Sequence, residues 1–230
     1  MAGGKGTRLA PLTDHSPKPM MPILDKPILY YIIDLLKRHE ITDISVTLGY
    51  MANKIIEEFG DGRSLGVTLH YVIEREPLGT AGGVKSAAAG FQEDFLVISG
   101  DCYTDFNLTS LMDFHKNHGK LVTIAATRVE DPSSFGVMLL NQAGKVRSFI
   151  EKPQVPISNI VSTGIYVFKK EILKKIPQGF QDFARDVFPT IPGQIYAKIM
   201  PGYWSDIGTL LSYYSTNYHV AEQQAHTEKI

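Results

Sequence analysis

Between Lys26 and Val129 the chain keeps switching its hydrophobic period, and that alternation limits the folds open to it. From Lys26 to Glu40 the apolar residues Ile28, Leu29, Ile32, Ile33, Leu35 and Leu36 recur at helical spacing, with Pro27 suited to a first turn. "ISVTLGY" at 44–50 then reads as a β-branched strand, "NKIIEEF" at 53–59 as a short helix and "VTLHYVI" at 67–73 as a second strand. The pattern continues with "AGGVKSAAAGF" at 81–91 (helix), "FLVIS" at 95–99 (strand), "LTSLMDFHKNH" at 108–118 (helix) and "LVTIAATRV" at 121–129 (strand). Such alternation predicts an α/β fold, a mainly parallel sheet with helices on both faces. After Val129 the rhythm changes. "FGVMLL", "KVRSFIE" and "VSTGIYVF" follow closely with turn residues between them, which predicts antiparallel strands building a second, smaller lobe of the same domain. Short helices near 169–176 and 182–188, a strand near 195–200 and a helix from Leu210 complete the expectation, with the polar tail "QQAHTEKI" fraying.

The 230 residues are enough for one sizeable core, so a single domain over 1–230 is expected. Lys+Arg 23 against Asp+Glu 24 leaves a formal net charge of −1. That balance gives no basic field to hold nucleic acid or an anionic membrane, so any anionic ligand must be caught locally. The one cysteine, Cys102, excludes an internal disulfide framework and argues against a cysteine metal site, which fits a reducing, cytoplasmic setting. No apolar run reaches the length of a membrane span, and the first residues lack the layout of a secretory signal.

The first residues, "MAGGKGTRLAPLTDHSPKPMMPI", place Thr7 and Arg8 directly after Gly3, Gly4 and Gly6. Taken alone, a glycine-rich stretch is more often a flexible scar or turn than a phosphate site. This one lacks serine-glycine monotony, and its layout lets backbone N–H groups converge on phosphate oxygens while a guanidinium adds charge. It is neither a Walker-type loop nor a G-x-G-x-x-G dinucleotide fingerprint. Lys18 is locked between Pro17 and Pro19, which restricts where its ammonium points. A turn explains such a lysine, and so does a group that neutralises charge in a transition state.

The long spaced pattern "AGGKGTRLAPLTDHSPKPMMPI" resembles the signature of sugar-1-phosphate nucleotidylyltransferases, the nucleotide-sugar pyrophosphorylases. The similarity runs on through "EREPLGTAGG" at 74–83, "ISGDCYTD" at 98–105, "FGVM" at 135–138, "EKP" at 151–153, "STGIYVF" at 162–168 and "YWSDIGT" at 203–209. "EPLGTAG" and "YWSDIGT" look most like bacterial mannose-1-phosphate guanylyltransferases. The resemblance implies a Rossmann-like fold whose smaller lobe binds sugar, and the reaction of an NTP with a sugar 1-phosphate to give an NDP-sugar and pyrophosphate. GTP and mannose 1-phosphate are the implied pair, with glucose 1-phosphate and dTTP or UTP as the neighbouring branch.

The same resemblance implies roles for individual residues. Arg8 and the amides from Ala2, Gly3, Gly4 and Gly6 to Thr7 would hold the triphosphate, and Lys18 would act at the reacting phosphates. Asp101 and Asp206 would hold Mg²⁺, although each also reads as a turn or helix-capping aspartate, and Asp105 is assigned to the following turn. Glu76, Pro77, Gly79 and Thr80 would meet the base, where a loop and helix start explains the same residues. Glu151 and Lys152 would take the sugar and its phosphate, with Gly136, Thr163 and Gly164 lining that pocket and Ser162 standing where many relatives have asparagine. The expected partners are the NTP, the sugar 1-phosphate and a second copy in a homodimer, with no nucleic acid and no membrane.

Two rival classes remain. A nucleotide-sugar glycosyltransferase would ordinarily show Asp-x-Asp, whereas the run here is Asp101-Cys102-Tyr103. A non-catalytic regulatory subunit would be marked by loss of a charged site residue, and Arg8, Lys18, Asp101 and Asp206 are all present. Relatives place a short apolar strand before the glycine loop and often a β-helix domain after the last helix. Only Met1-Ala2 precedes the loop here, so the natural product is expected to start a few residues earlier, and no carboxy-terminal domain is expected.

Overall fold

The structure is a computed structural model that describes residues 1–4 and 6–227. Short 3₁₀ turns at Thr7–Leu9 and Lys18–Met20 precede the regular elements. These are β1 (Pro22–Ile23), β2 (Lys26–Pro27), α1 (Ile28–Arg38), β3 (Asp43–Leu48), α2 (Ala52–Phe59), β4 (Thr68–Ile73), α3 (Gly79–Ala87), β5 (Phe95–Ile98) and β6 (Cys102–Thr104). The chain continues through α4 (Leu108–His118), β7 (Val122–Arg128), β8 (Gly136–Leu140), β9 (Val146–Glu151), β10 (Ile160–Phe168), β11 (Ile195–Ile199), β12 (Trp204–Asp206) and α5 (Leu210–Thr227). The short helices expected near 169–176 and 182–188 are a 3₁₀ turn at Lys170–Lys175 and a π turn at Phe183–Val187. Helical backbone runs on through "QQAHT", most of the tail expected to fray, and residues 228–230 of that tail lie outside the described residues.

The chain divides into two compact units. The first comprises Ala2–Arg75, Ser99–Asp105 and Tyr203–Ile230. Its strands β3 and β4 pair in parallel, from Asp43 opposite Thr68 to Leu48 opposite Ile73. The periodic residues Ile28, Leu29, Ile32, Ile33, Leu35 and Leu36 of α1 are all buried, as the 3.6 spacing requires. Ala2 lies alongside β3, donating its N–H to Thr47 O at 3.0 Å, so the glycine loop departs from beside a strand. β6 and β12 pair antiparallel, with Asp206 opposite Cys102 and Trp204 opposite Thr104. Asp105 fastens this ribbon by accepting the N–H of Tyr203 at 2.7 Å, which gives it a structural task.

The second unit comprises Met1, Glu76–Ile98 and Phe106–Gly202 and holds a six-stranded mixed sheet. β10 is its organising strand. Along one edge β10 runs antiparallel to β7, and the other edge is shared by β8 at Val161 and β5 over Ile165–Phe168. β11 continues the sheet in parallel from β7, and β9 pairs antiparallel with β8. β5, β7, β8 and β11 therefore run one way, with β9 and β10 reversed, so the predominance of one strand direction is kept. "VSTGIYVF" was expected in the antiparallel lobe. It is antiparallel to its neighbours, but it lies inside the main sheet between β5 and β7.

Ala81, Val84 and Ala88 from the α3 region, Val97 and Ile124 from the sheet, and Phe168, Phe183 and Phe188 share one buried cluster. Phe168 and Phe183 stack with ring centroids 4.8 Å apart, so the short π turn is held in place by aromatic packing rather than by helix propensity. The N-terminus of α3 presses on backbone. Gln181 O accepts the N–H of Ala81 at 2.9 Å and of Gly82 at 3.2 Å. Gly79 has φ +72°, and a Cβ there would sit 2.4 Å from Gln181 O. Gly79→Ala is therefore expected to destabilise the protein by about 2 kcal/mol or more, from the sum of backbone strain and overpacking. Gly90→Ala, where a Cβ meets nothing within 4 Å, is expected to change stability by less than about 0.5 kcal/mol. Urea unfolding of the two variants beside the parent checks the difference.

Candidate active site

In the first unit the ammonium of Lys18 binds two carboxylates that are distant in sequence. Nζ donates to Asp101 Oδ2 and, at 3.1 Å, to Asp206 Oδ1. Local sequence explains how each arrives. Pro17 and Pro19 hold Lys18 in a 3₁₀ turn closed by Met20 N donating to Pro17 O at 2.8 Å. Asp101 immediately precedes β6 and Asp206 ends β12, so the pairing of two three-residue strands brings their carboxyl groups together. Ser99 Oγ donates to the other oxygen of Asp101 at 2.6 Å and fixes its orientation.

Gly208 closes the cluster. A Cβ there would lie 2.7 Å from Asp206 Oδ1, 2.8 Å from the Arg8 guanidinium and 3.3 Å from Lys18 Nζ. Two cations and a carboxylate thus crowd a surface that only a residue without a side chain leaves open. Arg8 is exposed on the Thr7–Leu9 turn, and the loop before it is folded back by Thr13 Oγ1, which donates to Gly6 O at 2.9 Å.

Burial pushes the carboxyl of Asp101 up, but the charge and hydrogen bond of Lys18, with the Ser99 hydroxyl, outweigh it and hold Asp101 below its ordinary value. For Asp206 burial and the neighbouring Asp101 charge win over Lys18 and Arg8, so its carboxyl is raised. The Cys102 thiol is pushed well up, first by burial and then by Asp101 and Asp206, so it is no thiolate nucleophile. Two carboxylates around one cation position form a hard-oxygen donor set suited to Mg²⁺. Among the described residues no group of three or more His, Cys, Asp or Glu gathers to cage a metal, so a bound ion would complete its shell from substrate and water.

The glycine loop itself is lightly built. Gly4 is exposed with nothing within 4 Å of an added Cβ, Thr7 is exposed, and Ala2 is buried. Lys5, whose amide belongs to the expected cradle, lies outside the described residues. Two residues of this region carry no role in the sequence reading. Gly49, just after β3, lies so close to Gly3 that a Cβ would be 2.8 Å from Gly3 O. The Glu74 carboxylate sits 3.7 Å from an added Cβ of Gly3.

The remaining candidates fall in the second unit. Glu76 and Pro77 are exposed. The Thr80 hydroxyl is already committed, donating to Asp182 Oδ2 at 3.0 Å and accepting the N–H of Phe183 at 2.9 Å. Gly136 lies under Glu151, with an added Cβ 3.0 Å from its Oε2 and 2.4 Å from the Phe149 ring. Lys152 Nζ is 3.6 Å from Glu151 Oε1. Burial raises the Glu151 carboxyl, with Asp182 adding to the shift and Lys152 and Arg185 opposing it. Thr163 and Gly164 lie in the bulge of β10, between Ser162 and Tyr166. The Thr163 side chain is buried with its hydroxyl on Ala125 O at 2.7 Å, so only its backbone could face a ligand.

A family model described as nucleotidyl transferase matches residues 1–223. The chain belongs to this nucleotidyl transferase family. A mannose-1-phosphate guanylyltransferase catalytic subunit beta of Drosophila pseudoobscura pseudoobscura is 39% identical over 214 residues, 90% of this chain and 58% of the relative. A mannose-1-phosphate guanylyltransferase of Mycobacterium tuberculosis is 36% identical over 215 residues, 91% of this chain and 60% of that protein. This family member thus spans about 58–60% of the length of these curated relatives. Among solved structures, a putative glucose-1-phosphate thymidylyltransferase from Bacillus anthracis superposes with TM-score 0.86 at 25% identity, covering 94% of this chain and 92% of that one. HddC from Yersinia pseudotuberculosis complexed with GMP-PN gives 0.83 at 29% identity, covering 95% and 96%. Among the described residues no helix is long and apolar enough to cross a membrane.

Lys18→Met is expected to cost about 3 kcal/mol at pH 7, because it leaves two carboxylates facing each other without their cation. The sign of the pH dependence follows from the shifts. In the parent, the depressed Asp101 contributes stability that is present above the ordinary carboxylate value and lost as pH falls through its folded value. In the variant the unpaired carboxyls are raised, so its stability is best at low pH and declines as pH rises. The gap between the two proteins should therefore narrow between pH 7 and about pH 4. Urea unfolding at both pH values measures it, and a gap that widens in acid would remove the clamp.

Proposed function

We propose that this chain is a sugar-1-phosphate nucleotidylyltransferase that forms an NDP-sugar and pyrophosphate, with GTP and mannose 1-phosphate as its substrates. The observation that carries this reading is the meeting of Lys18, Asp101 and Asp206 beside Gly208 and Arg8. In the proposed reaction a phosphate oxygen of the sugar 1-phosphate attacks the α-phosphorus of the NTP in line. The bond from that phosphorus to the β-phosphate bridging oxygen breaks, and pyrophosphate carries the electron pair away. No enzyme nucleophile is called for, which agrees with a buried, protonated Cys102. Two anions must approach each other, so the chain's contribution is cationic and positional.

Arg8 and the loop amides would hold the triphosphate, and Lys18 would turn its ammonium to the charge that builds at the reacting phosphates. Asp101 and Asp206 would hold Mg²⁺, whose chemistry is to neutralise phosphate charge during transfer. Glu151 would accept hydrogen bonds from ring hydroxyls and Lys152 would meet the sugar phosphate, with Glu76, Pro77, Gly79 and Thr80 near the base. Cytoplasmic residence and assembly as a homodimer belong to the same reading, with no nucleic acid and no membrane partner.

The glucose 1-phosphate branch, with dTTP or UTP, is the second reading, favoured by the likeness to the Bacillus anthracis structure. A regulatory subunit that binds without turnover is the reading of another class. Purified protein offered GTP, dTTP, UTP, ATP and CTP against mannose and glucose 1-phosphates separates them by pyrophosphate release. GTP with mannose 1-phosphate is expected to be fastest. A preference for dTTP or UTP with glucose 1-phosphate moves the chain to the neighbouring branch, and binding without release makes it regulatory.

Two variants probe the roles. Asp101→Asn is expected to abolish turnover while the fold persists, because Asp206 still pairs Lys18; near-parental turnover at limiting Mg²⁺ would take Asp101 out of the metal role. Lys18→Ala is expected to lower kcat by about a hundredfold or more, and a change in KM alone would make the lysine a ground-state anchor.

A further inference from the structure

The π turn Phe183–Val187 carries groups that the functional reading leaves unused. Asp182 caps it, accepting at Oδ1 the N–H groups of Ala184 at 3.0 Å and Arg185 at 3.2 Å. The other oxygen takes the Thr80 hydroxyl at 3.0 Å, so one carboxylate ties the entrance of α3 to this turn. Arg185 Nε lies 3.8 Å from the same Oδ1, and among the described residues Asp182 is its one ion-pair partner. The Arg185 side chain is 63% exposed, against 20% for Asp182. Its arm is anchored at the base while its guanidinium remains reachable.

These groups lie beside Glu151. β9, which ends at Glu151, packs against the same turn. The Tyr166 hydroxyl, pushed up to about 12 by burial, feels the charges of both Glu151 and Asp182, and it meets Ser162 Oγ at 3.3 Å. Two carboxylates and two hydroxyls in one neighbourhood can read ring hydroxyls, but they are a poor place for a phosphate dianion. Lys152 does not correct this alone, since its ammonium is shared with Glu151 at 3.6 Å. Arg185 is a second cation whose charge, after that of Lys152, reaches Glu151.

Resting on the nucleotidylyltransferase reading, we propose that Arg185 is a second phosphate-binding cation of the sugar 1-phosphate subsite. Asp182 is its positioning residue. The planar guanidinium presents paired N–H groups to two phosphate oxygens, which the point charge of Lys152 cannot do.

The test measures binding of mannose 1-phosphate to the full chain by calorimetry, with a non-hydrolysable GTP analogue bound, together with the steady-state KM of each substrate. Arg185→Gln is expected to weaken mannose 1-phosphate binding about tenfold to a hundredfold, the range of a lost charge-assisted contact, with the KM of GTP unchanged. The ³¹P resonance of the bound sugar phosphate should titrate at higher pH in this variant, because the cation that favoured its dianion is gone. Arg185→Lys should recover part of the loss, and Asp182→Asn should weaken binding in the same direction by a smaller factor. Unchanged mannose 1-phosphate affinity in Arg185→Gln, or equal losses for both substrates, overturns the proposal. Failure of the parent protein to bind any sugar 1-phosphate instead overturns the functional reading on which it rests.

Discussion

One buried ammonium organises the first unit. Lys18 comes from a proline-locked turn, Asp101 from the start of β6 and Asp206 from the end of β12, and only their mutual attraction makes such a concentration of charge tolerable. Lys18 keeps just 9% of its side chain exposed, so its charge has exchanged water for carboxylate oxygens. Such a pair is weak as a source of stability, since desolvation offsets most of the Coulomb gain. Its value lies in specificity of arrangement. The β6–β12 register, the Ser99 hydroxyl and the bare backbone of Gly208 all serve to hold a cation and two anions at contact distance.

The second unit works by a different logic. Near the end of β9 its polar groups include carboxylates and hydroxyls, with Glu151 ending β9, Ser162 and Tyr166 on β10, and Asp182 at a turn stapled by aromatic packing. Those are groups for reading hydroxyls, and the raised carboxyl of Glu151 shows that its charge is held at a cost. Phosphate binding needs the opposite sign, and beside these groups stand the cations Lys152 and Arg185.

Much of this was legible in the residues, and the failures have a common cause. The α1 stripe, the β-branched strands and the strand-helix alternation are local patterns, and the elements lie within a few residues of where the periodicity puts them. The place of β10 between β5 and β7 is not local, since nothing in "VSTGIYVF" states which strands it pairs with. β1, β2, β6 and β12 are two or three residues long, below the length at which a period can be seen, yet β6 and β12 align the two carboxylates. Lys18, Asp101 and Asp206 could be picked out by resemblance, and Gly208 lay within a quoted motif without a role. Asp182 and Arg185 gave no signal, because "DFARDVF" reads as an ordinary short helix until its cap and its neighbours are in place.

In the proposed reaction transfer between two bound phosphates at Lys18, Asp101 and Asp206 is direct, and no nucleotide is ever attached to the protein. Isotope exchange tests it most directly. Radiolabelled pyrophosphate incubated with the protein, Mg²⁺ and GDP-mannose should enter GTP, whereas with GTP and pyrophosphate alone no label should cross. Exchange into GTP without any sugar nucleotide or sugar 1-phosphate would require a covalent nucleotidyl-protein and would rule out direct transfer.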